Sequence, residues 1–337
     1  MISFVWYFPH PFKAGAGGSE NFTAGVAREL LHRGKKVQIV TVGFGENDGR
    51  ADFPDIPFLA LDDPHDIATL PQPKVFVIDP PPSQTNYPAH FMLQCPVWMN
   101  PTQSKDYALA AEGRSLIANS QYAAREWEKF LGRAHGSIPV VYPFADAAFN
   151  KVERKKRSDG KIRVIFPSRL HPDKGIYPFL AAIHSPLLHE DPRFEFAVTT
   201  AGAHTSHGKI IKELVQAHPQ IRVIEARKSP QAMAELLAEF DVAVVPSSAH
   251  YWHEPFGMIS VEAQQAGCRV VASNDGGLPE TDCGHLLLAE PDNPAAIATQ
   301  IVEAAKKGPL TASERAQTAH RFTVQQTVDD LLQIIDS

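Results

Sequence analysis

Residues 242–272 of the chain read VAVVPSSAHYWHEPFGMISVEAQQAGCRVVA. The apolar runs Val242–Val245 and Arg269–Ala272 each predict a buried strand. Between them, the Pro-Phe-Gly of residues 255–257 predicts a tight turn into a helix near Ile259–Ala266. A strand, a helix and a strand joined by short loops are typical of parallel strands in an α/β sheet.

The same alternation extends toward the amino terminus and predicts a Rossmann-like domain at residues 160–319. Short apolar runs indicate its strands, and amphipathic runs indicate its helices. The further strands are predicted at Ile162–Pro167, Phe194–Thr199 and Ile221–Glu225, and the helices near Tyr177–His184, Lys209–Ala217 and Gln231–Glu239.

The first half of the chain predicts a second Rossmann-like domain, at residues 1–152. Phe22, Val26 and Leu30 recur at helical spacing, and Gly34 follows where a helix often ends. Six apolar runs predict strands, at residues 2–8, 37–42, 75–78, 97–99, 116–118 and 140–141. The helix lies between the first two of them.

The polar residues 150–161 contain almost nothing that can enter a core, so we interpret them as a solvated interdomain linker. A final helix at about Val324–Ile335, within residues 320–337, is expected to pack back on the first domain. Two such domains in tandem predict parallel sheets that face an interdomain cleft, with ligands at the carboxyl ends of the strands.

Length and composition favour a soluble protein of two globular domains. The chain has 337 residues, of which 44% are hydrophobic and 21% charged, and its formal net charge is −6. This acidic balance provides no general attraction to DNA or RNA, so no nucleic-acid partner is expected. The three cysteines are too few and too scattered for a disulfide framework, and we expect them to be reduced.

No stretch of about 18 apolar residues free of charge occurs, so no membrane-spanning helix is predicted. The first residues, MISFVWYFPHPF, lack a basic leader and a small-residue cleavage site, and they predict a strand rather than a signal peptide. We therefore expect a cytoplasmic protein, with peripheral membrane contact left open.

The first candidate ligand-binding loop is Gly15-Ala16-Gly17-Gly18-Ser19-Glu20, at the start of the first helix. Free amides at a helix amino terminus suit a phosphate or a sugar hydroxyl. The stretch lacks the third glycine of the dinucleotide fingerprint and the Gly-Lys-Ser/Thr of a P-loop, which disfavours NAD and ATP. A tight turn that only lets the helix pack closely remains the alternative.

A second loop, Ser168–Gly175, follows a predicted strand and contains Arg169 and Lys174. A guanidinium and an ammonium at a strand's carboxyl end can both bind one diphosphate, where they neutralise the charge of a departing leaving group. The alternative is an ordinary polar loop.

The carboxylates of Glu254 and Glu262 begin and end a nine-residue segment. Along a helix they are about 12 Å apart, too far to share a proton, so we expect them to hold two parts of one extended ligand. The pairs His204/His207 and His250/His253 lie in predicted loops without a matching set of acidic or cysteine ligands, so no metal site is predicted. His250 and His253 are expected to line the ligand pocket or to lie at its rim.

Together these pieces resemble the retaining GT-B glycosyltransferases of family 4, also described as glycosyl transferases group 1. The matching segments come in the family's order: Gly17–Glu20, Tyr142-Pro143 with Asp146 and Phe149, Arg169 with Lys174-Gly175, Glu254 with Glu262, and Asn274–Glu280. The resemblance covers most of the chain.

The resemblance implies a role for each of the charged residues. Arg169 and Lys174 would bind the donor diphosphate, and Glu262 would hold the ribose hydroxyls. Glu254 would hold the donor sugar together with backbone amides of the turn at Phe256, Gly257 and Met258.

A pair of glycines and one further loop complete the implied site. Gly17 and Gly18 would close over the diphosphate from the first domain, and the loop at Ala226 and Arg227 would meet the base. Many members carry a first-domain histidine that contacts the donor sugar. Here the strand ends at 79–82 and 99–102 contain none, so that contact and the acceptor are left open.

The implied activity is transfer of a hexosyl group from a UDP- or GDP-linked sugar to an acceptor hydroxyl, with retention at the anomeric carbon. The resemblance implies no bound metal and no other cofactor. Two alternatives stay open: a phosphorylase, hydrolase or epimerase built on the same domains, and a nucleotide-sugar-binding protein without turnover.

Overall fold

The computed structural model describes residues 1–15, 17–77, 87–95, 97, 101–155 and 157–336, without the side chains of 101–104. The chain divides into two compact units. Unit 1 comprises Met1–Phe144 and Phe322–Ser337, and unit 2 comprises Ala145–Arg321. The division falls before the predicted boundary at 152 and assigns one short helix to unit 2.

Unit 1 is an α/β unit of strands, α-helices and short 3₁₀ turns. Its strands are β1 (Ile2–Trp6), β2 (Val37–Val42), β3 (Phe58–Leu61), β4 (Lys74–Phe76), β5 (His90–Leu93) and β6 (Ser115–Ala118). Its helices are α1 (Gly18–His32), α2 (Pro101–Ala111), α3 (Gln121–Leu131) and, from the end of the chain, α12 (Val324–Ile335). Helices α1, α2 and α3 follow β1, β5 and β6, and short 3₁₀ turns connect β2, β3 and β4.

The six strands of unit 1 form one parallel sheet in the order β3-β2-β1-β4-β5-β6. This is the strand order of the Rossmann fold. Helix α12 packs on the same unit, because Val328, Leu331 and Ile335 lie in the core that also contains Phe22 of α1. The hydroxyl of Thr327 donates a hydrogen bond to the Tyr142 carbonyl at 2.8 Å.

Several strands of unit 1 differ from the sequence prediction. Strands β3 and β5 were not predicted, because each has only four residues and no alternating pattern. Of the predicted strand 97–99, Val97 lies outside any strand and residues 98 and 99 lie outside the described part. The predicted strand at 140–141 is a single bridge between Val140 and Ala118.

Unit 2 repeats the same architecture. Its strands are β7 (Ile162–Phe166), β8 (Phe194–Thr199), β9 (Ile221–Ile224), β10 (Val242–Val245), β11 (Arg269–Ser273) and β12 (Leu286–Ala289). Its helices are α4 (Ala147–Lys151), α5 (Ile176–Ile183), α6 (Pro186–His189), α7 (Ser206–Gln216), α8 (Pro230–Leu237), α9 (Met258–Gln265), α10 (Pro294–Lys307) and α11 (Ala312–Thr318).

The parallel sheet of unit 2 has the order β12-β11-β10-β7-β8-β9, which is again the Rossmann order. Strands β7 and β10 are neighbours in the sheet, although β8 and β9 lie between them in sequence. The strand order reverses at this point. The loops that follow β7 and β10 therefore leave the same edge side by side, where open α/β sheets bind ligands.

The segment predicted as a solvated linker packs on unit 2 instead. The guanidinium of Arg154 donates to the Phe240 carbonyl at 2.6 Å, and that of Arg157 pairs with Asp241. Asp241 is buried and also accepts from the Arg163 amide at 2.9 Å. The basic run was read as exposed because composition does not reveal a buried partner, and this interpretation was wrong.

Candidate active site

The loop after β7 is locked against the loop after β10. It forms a single 3₁₀ turn, Pro172–Lys174, and ends at Gly175, whose φ is +73°. A Cβ at Gly175 would collide with the carbonyl oxygen of Pro246, directly after β10. The amide of Ser248 donates to the Asp173 carbonyl at 2.9 Å. Glycine is required here by both the left-handed backbone and the close approach.

This arrangement brings two of the predicted residues together. Lys174 Nζ lies 2.5 Å from Glu254 Oε2. The same carboxylate oxygen accepts a hydrogen bond from the Ser247 hydroxyl at 3.2 Å. Only 12% of the Lys174 side chain and 14% of the Glu254 side chain are exposed, so the pair is largely shielded from solvent. An ion pair in such surroundings interacts more strongly than one at the surface.

The main chain of Glu254 is held by a third loop, which follows β11. The amide of Gly277 donates to the Glu254 carbonyl at 2.7 Å, and Gly276, with φ of +59°, approaches the same carbonyl closely. Next to it, His253 Nδ1 lies 2.8 Å from an Asp275 carboxylate oxygen. Glu254 is thus placed by loops from three neighbouring strands.

Helix α9 starts directly after this turn. Gly257 caps it with φ of +91°, and Phe256 before it is buried. The amides of Met258 and Ile259 open the helix and have no acceptor earlier within it. Such amides, with the positive end of the helix dipole, favour an oxygen-rich or anionic ligand.

Glu262 lies one turn into α9 and is partly buried. Burial raises the pKa of its carboxyl to about 7, and the negative charge of nearby Asp146 adds to the shift. Near neutral pH both the protonated and the ionised form of this carboxyl are therefore populated. A ligand hydroxyl can donate to the ionised form or accept from the protonated form.

The other predicted residues of unit 2 are more exposed. Arg169 is exposed, and its guanidinium has no ion pair within the described residues. Ala226 and Arg227 are exposed after β9, and the Ala226 amide already donates to the Thr200 hydroxyl at 3.0 Å. No described hydrogen bond or ion pair joins these three residues to Lys174 or Glu254.

Residues 161–307, which contain this arrangement, match the family model described as glycosyl transferases group 1. The chain carries a glycosyl transferases group 1 domain. The resemblance drawn from the sequence motifs is thereby confirmed at the level of the family.

Curated relatives agree with this assignment. A glycogen synthase of Mycobacterium tuberculosis is 30% identical over 179 residues, which is 51% of this chain and 40% of the relative. A D-inositol 3-phosphate glycosyltransferase of Geodermatophilus obscurus is 29% identical over 241 residues, which is 66% of this chain and 52% of the relative. The alignments thus span about half the length of these relatives.

Solved structures show the fold. A glycosyltransferase from Rickettsia africae superposes with a TM-score of 0.79 at 18% identity, over 99% of this chain and 97% of its own. Anabaena HepE, solved in complex with UDP and glucose, superposes with a TM-score of 0.76 at 19% identity, over 100% of this chain and 99% of its own. The predicted α/β class with two Rossmann-like domains of the GT-B fold is confirmed.

Gly17 and Gly18 lie in unit 1, outside the group 1 domain. Gly17 has extended backbone angles and caps α1, and Gly18 is the first residue of that helix. The Ser19 hydroxyl donates to Gln94 Oε1 at 2.5 Å, which connects this turn to the residue after β5. The role of the two glycines toward a diphosphate stays a prediction.

No group of three or more His, Cys, Asp or Glu side chains suited to a metal ion occurs among the described residues. The histidines considered for such a role have other neighbours. Besides the His253 contact, the His250 imidazole lies 3.8 Å from Asp292, and the His207 ring stands 5.1 Å from that of His171. Within the described part, no helix is long and apolar enough to cross a membrane.

Ser247 and the support from Asp173 were not predicted from the sequence. Ser247 is fully buried two residues after the end of β10, and a polar residue so close to the end of a buried strand was a usable signal. The contact of Asp173 with the β10 loop is a backbone contact, which no side-chain pattern reveals. The strand ends without histidine, at 79–82 and 99–100, lie outside the described residues.

Proposed function

We propose that the chain is a retaining glycosyltransferase, which moves a hexosyl group from a nucleotide diphosphate sugar to an acceptor hydroxyl. The observation that carries the proposal is the shielded Lys174–Glu254 pair at the strand-order reversal of a group 1 domain. The activity is also supported by the names of two curated relatives, a glycogen synthase and a D-inositol 3-phosphate glycosyltransferase.

The proposed donor is a UDP- or GDP-linked sugar. UDP and glucose are bound in the Anabaena HepE structure, which shares the fold at 19% identity, and this favours testing a UDP-linked sugar first. The chain's own residues support a diphosphate, because Arg169 and Lys174 lie in one loop at the carboxyl end of β7. Two cations there can bind both phosphates.

Each acidic residue has a distinct proposed role. Glu254 accepts from a hydroxyl of the donor sugar while Lys174 turns toward the diphosphate, and Ser247 keeps the carboxylate in place. Glu262 holds the ribose hydroxyls. The free amides at the start of α9 serve the sugar or the nearer phosphate.

In the proposed reaction the bond between the anomeric carbon and the diphosphate oxygen breaks, and its electron pair stays on that oxygen. The acceptor hydroxyl attacks the same face of the sugar, and its proton passes to the departing phosphate oxygen. Lys174 and Arg169 stabilise the charge that develops on the diphosphate. Because these cations take that role, we propose that no metal ion is required.

Product analysis tests this proposal. The purified chain is incubated with UDP-glucose, GDP-mannose or ADP-glucose and an acceptor panel that includes D-inositol 3-phosphate and glycogen. We expect an α-linked product from an α-linked donor, identified by the anomeric coupling in a proton NMR spectrum, and we expect activity to persist in excess chelator. A β-linked product, or loss of activity in chelator that added metal restores, contradicts the mechanism. Donor breakdown without an acceptor product indicates a hydrolase instead.

A further inference from the structure

His171 and Asp173 form a close pair in the loop that also carries Arg169 and Lys174. His171 Nδ1 lies 2.6 Å from Asp173 Oδ1, and the Asp173 amide is farther from the same nitrogen, at 3.4 Å. Since an ionised carboxylate only accepts hydrogen bonds, the short contact assigns the proton to Nδ1. Neutral His171 then has a lone pair on Nε2, and only the protonated ring donates from Nε2.

Asp173 is fixed, whereas the ring that it holds is accessible. The Asp173 side chain is 16% exposed, and its carbonyl is bound by the Ser248 amide. The His171 side chain is 42% exposed, and no hydrogen bond of its Nε2 occurs among the described residues. The ring is thus oriented from one side and open to a ligand from the other.

The groups that face His171 favour an anion as that ligand. In its own loop, Asp173 Oδ2 lies 3.9 Å from Lys174 Nζ, and Arg169 is exposed two positions earlier. From α7, the His207 ring stands nearly perpendicular to the His171 ring at 5.1 Å. Asp173 is the only one of these four neighbours with a negative charge, and its carboxylate already accepts the hydrogen bond from His171 Nδ1. Lys174 also pairs with Glu254, so Arg169 and the His207 imidazole are the groups here without a carboxylate partner within the described residues.

We propose that protonated His171, oriented by Asp173, donates a hydrogen bond from Nε2 to the donor diphosphate beside Arg169 and Lys174. The affinity for the donor then falls as the pH rises, because the neutral ring directs a lone pair at the phosphate oxygens. This inference rests on the proposed function and adds a pH-dependent ligand to its diphosphate site.

Calorimetric titration tests the inference at several pH values. The probes are UDP-glucose, GDP-mannose and ADP-glucose, whose diphosphate has no proton that titrates between about pH 5.5 and about pH 8.5. The titration uses the Glu262→Gln chain, because Glu262 itself has a pKa of about 7, and we expect this chain to bind its donor about tenfold more tightly at the lower pH. Added to this chain, His171→Asn removes the dependence, and Asp173→Asn weakens binding at low pH.

Two further variants separate the responsible histidine from its neighbours. His65→Asn is the matched control, because His65 Nδ1 lies 2.7 Å from Asp63 Oδ1 in a turn of unit 1, and it leaves the dependence unchanged. His207→Asn also retains the dependence. Circular dichroism melting verifies that each variant is folded.

The outcomes distinguish this inference from the proposed function. If the Glu262→Gln chain binds a donor without pH dependence, or if addition of His171→Asn to that chain retains the dependence, the role of His171 is wrong while donor binding stands. If loss of the dependence follows His207→Asn instead, the assignment to His171 is also wrong. If none of the three sugar nucleotides binds even the wild-type chain at any pH, the proposed function itself fails.

Discussion

Lys174 Nζ lies 2.5 Å from Glu254 Oε2, although 80 positions separate the two residues in the chain. The contact exists because β7 and β10 are neighbours and their following loops are locked together at Gly175 and Pro246. Under the proposed function, a bound diphosphate would compete with Glu254 for the ammonium group, and the carboxylate would become available to a sugar hydroxyl.

Replacement of Lys174 is expected to affect both catalysis and stability. Lys174→Ala removes a preorganised positive charge, and we expect turnover to fall about a hundredfold or more. It also leaves the shielded Glu254 carboxylate with only the Ser247 hydroxyl, so we expect a lower melting temperature. Steady-state kinetics and thermal unfolding measure the two effects.

The matched control for this change is Lys306→Ala. Lys306 pairs with Glu303 at 2.6 Å, but both side chains are exposed on α10. Exposed pairs contribute about 0–1 kcal/mol, so this variant should differ little from the wild-type chain. Normal turnover of a folded Lys174→Ala variant would remove Lys174 from the diphosphate site.

Arg169→Ala separates catalysis from stability. Arg169 is exposed and has no ion pair within the described part of the chain, so its removal is expected to leave the unfolding temperature unchanged. Turnover should still fall by about a hundredfold, because the charge that develops on the leaving group is no longer stabilised by this cation. The prediction would be contradicted if Arg169→Ala lost as much stability as Lys174→Ala and kept normal turnover.

Glu262→Ala is expected to weaken binding of the free nucleoside diphosphate. Loss of hydrogen bonds to a charged group costs about 1–3 kcal/mol, which calorimetry with UDP or GDP resolves easily. Glu235→Ala, at an exposed position on α8, serves as the control. Unchanged affinity for the nucleotide would exclude Glu262 from the ribose site.

The raised pKa of Glu262 predicts a specific dependence of stability on pH. Burial raises this pKa from 4.5 to about 7, so the folded chain keeps a proton that the unfolded chain releases. The free energy of unfolding therefore falls as the pH rises from about 4.5 to about 7, by up to about 3 kcal/mol.

Glu262→Gln tests this sign, since the amide cannot ionise. Its melting temperature, relative to that of the wild-type chain, should be higher at about pH 8 than at about pH 5. Glu235→Gln, at the exposed position on α8, provides the comparison. A constant difference between Glu262→Gln and the wild-type chain across this range would show that the carboxyl titrates normally.

Gly175→Ala tests how the two loops are locked. The new methyl group would collide with the Pro246 carbonyl, and the φ of +73° disfavours alanine in addition. Gly160→Ala is the matched control, with φ of +69° and open space around the new Cβ. We expect about 1–2 kcal/mol of destabilisation for Gly160→Ala from the backbone alone. Chemical denaturation should give about 1–3 kcal/mol more for Gly175→Ala.

The fold of unit 2 was largely predictable from local pattern. Its buried strands β8 and β10 have the predicted bounds, and so does helix α12 of unit 1. Buried parallel strands are continuous apolar runs, and an amphipathic helix has a clear period, so each leaves a strong local signal. Strand β3 is partly exposed along its length and leaves a much weaker one.

For the candidate site, the sequence predicted which side chains can act. Arg169 and Lys174 were predicted from their charges in a loop after a buried strand, and Glu254 and Glu262 from their spacing. The role of each came from the family resemblance. Their relations were not predictable: Lys174 and Glu254 were assigned to separate parts of a ligand, and the structure pairs them directly. The basic segment with Arg154 and Arg157 was read as solvated, and it packs on unit 2.

These contacts arise from the tertiary fold, because they depend on the order of strands in the sheet. Local sequence determines whether a segment forms a strand, but not which distant strand lies beside it. The neighbouring positions of β7 and β10 bring Lys174 to Glu254. The pKa of Glu262 likewise depends on the burial of α9 and on Asp146, which precedes it by more than a hundred positions. Burial and long-range charge arise only when the whole unit has packed.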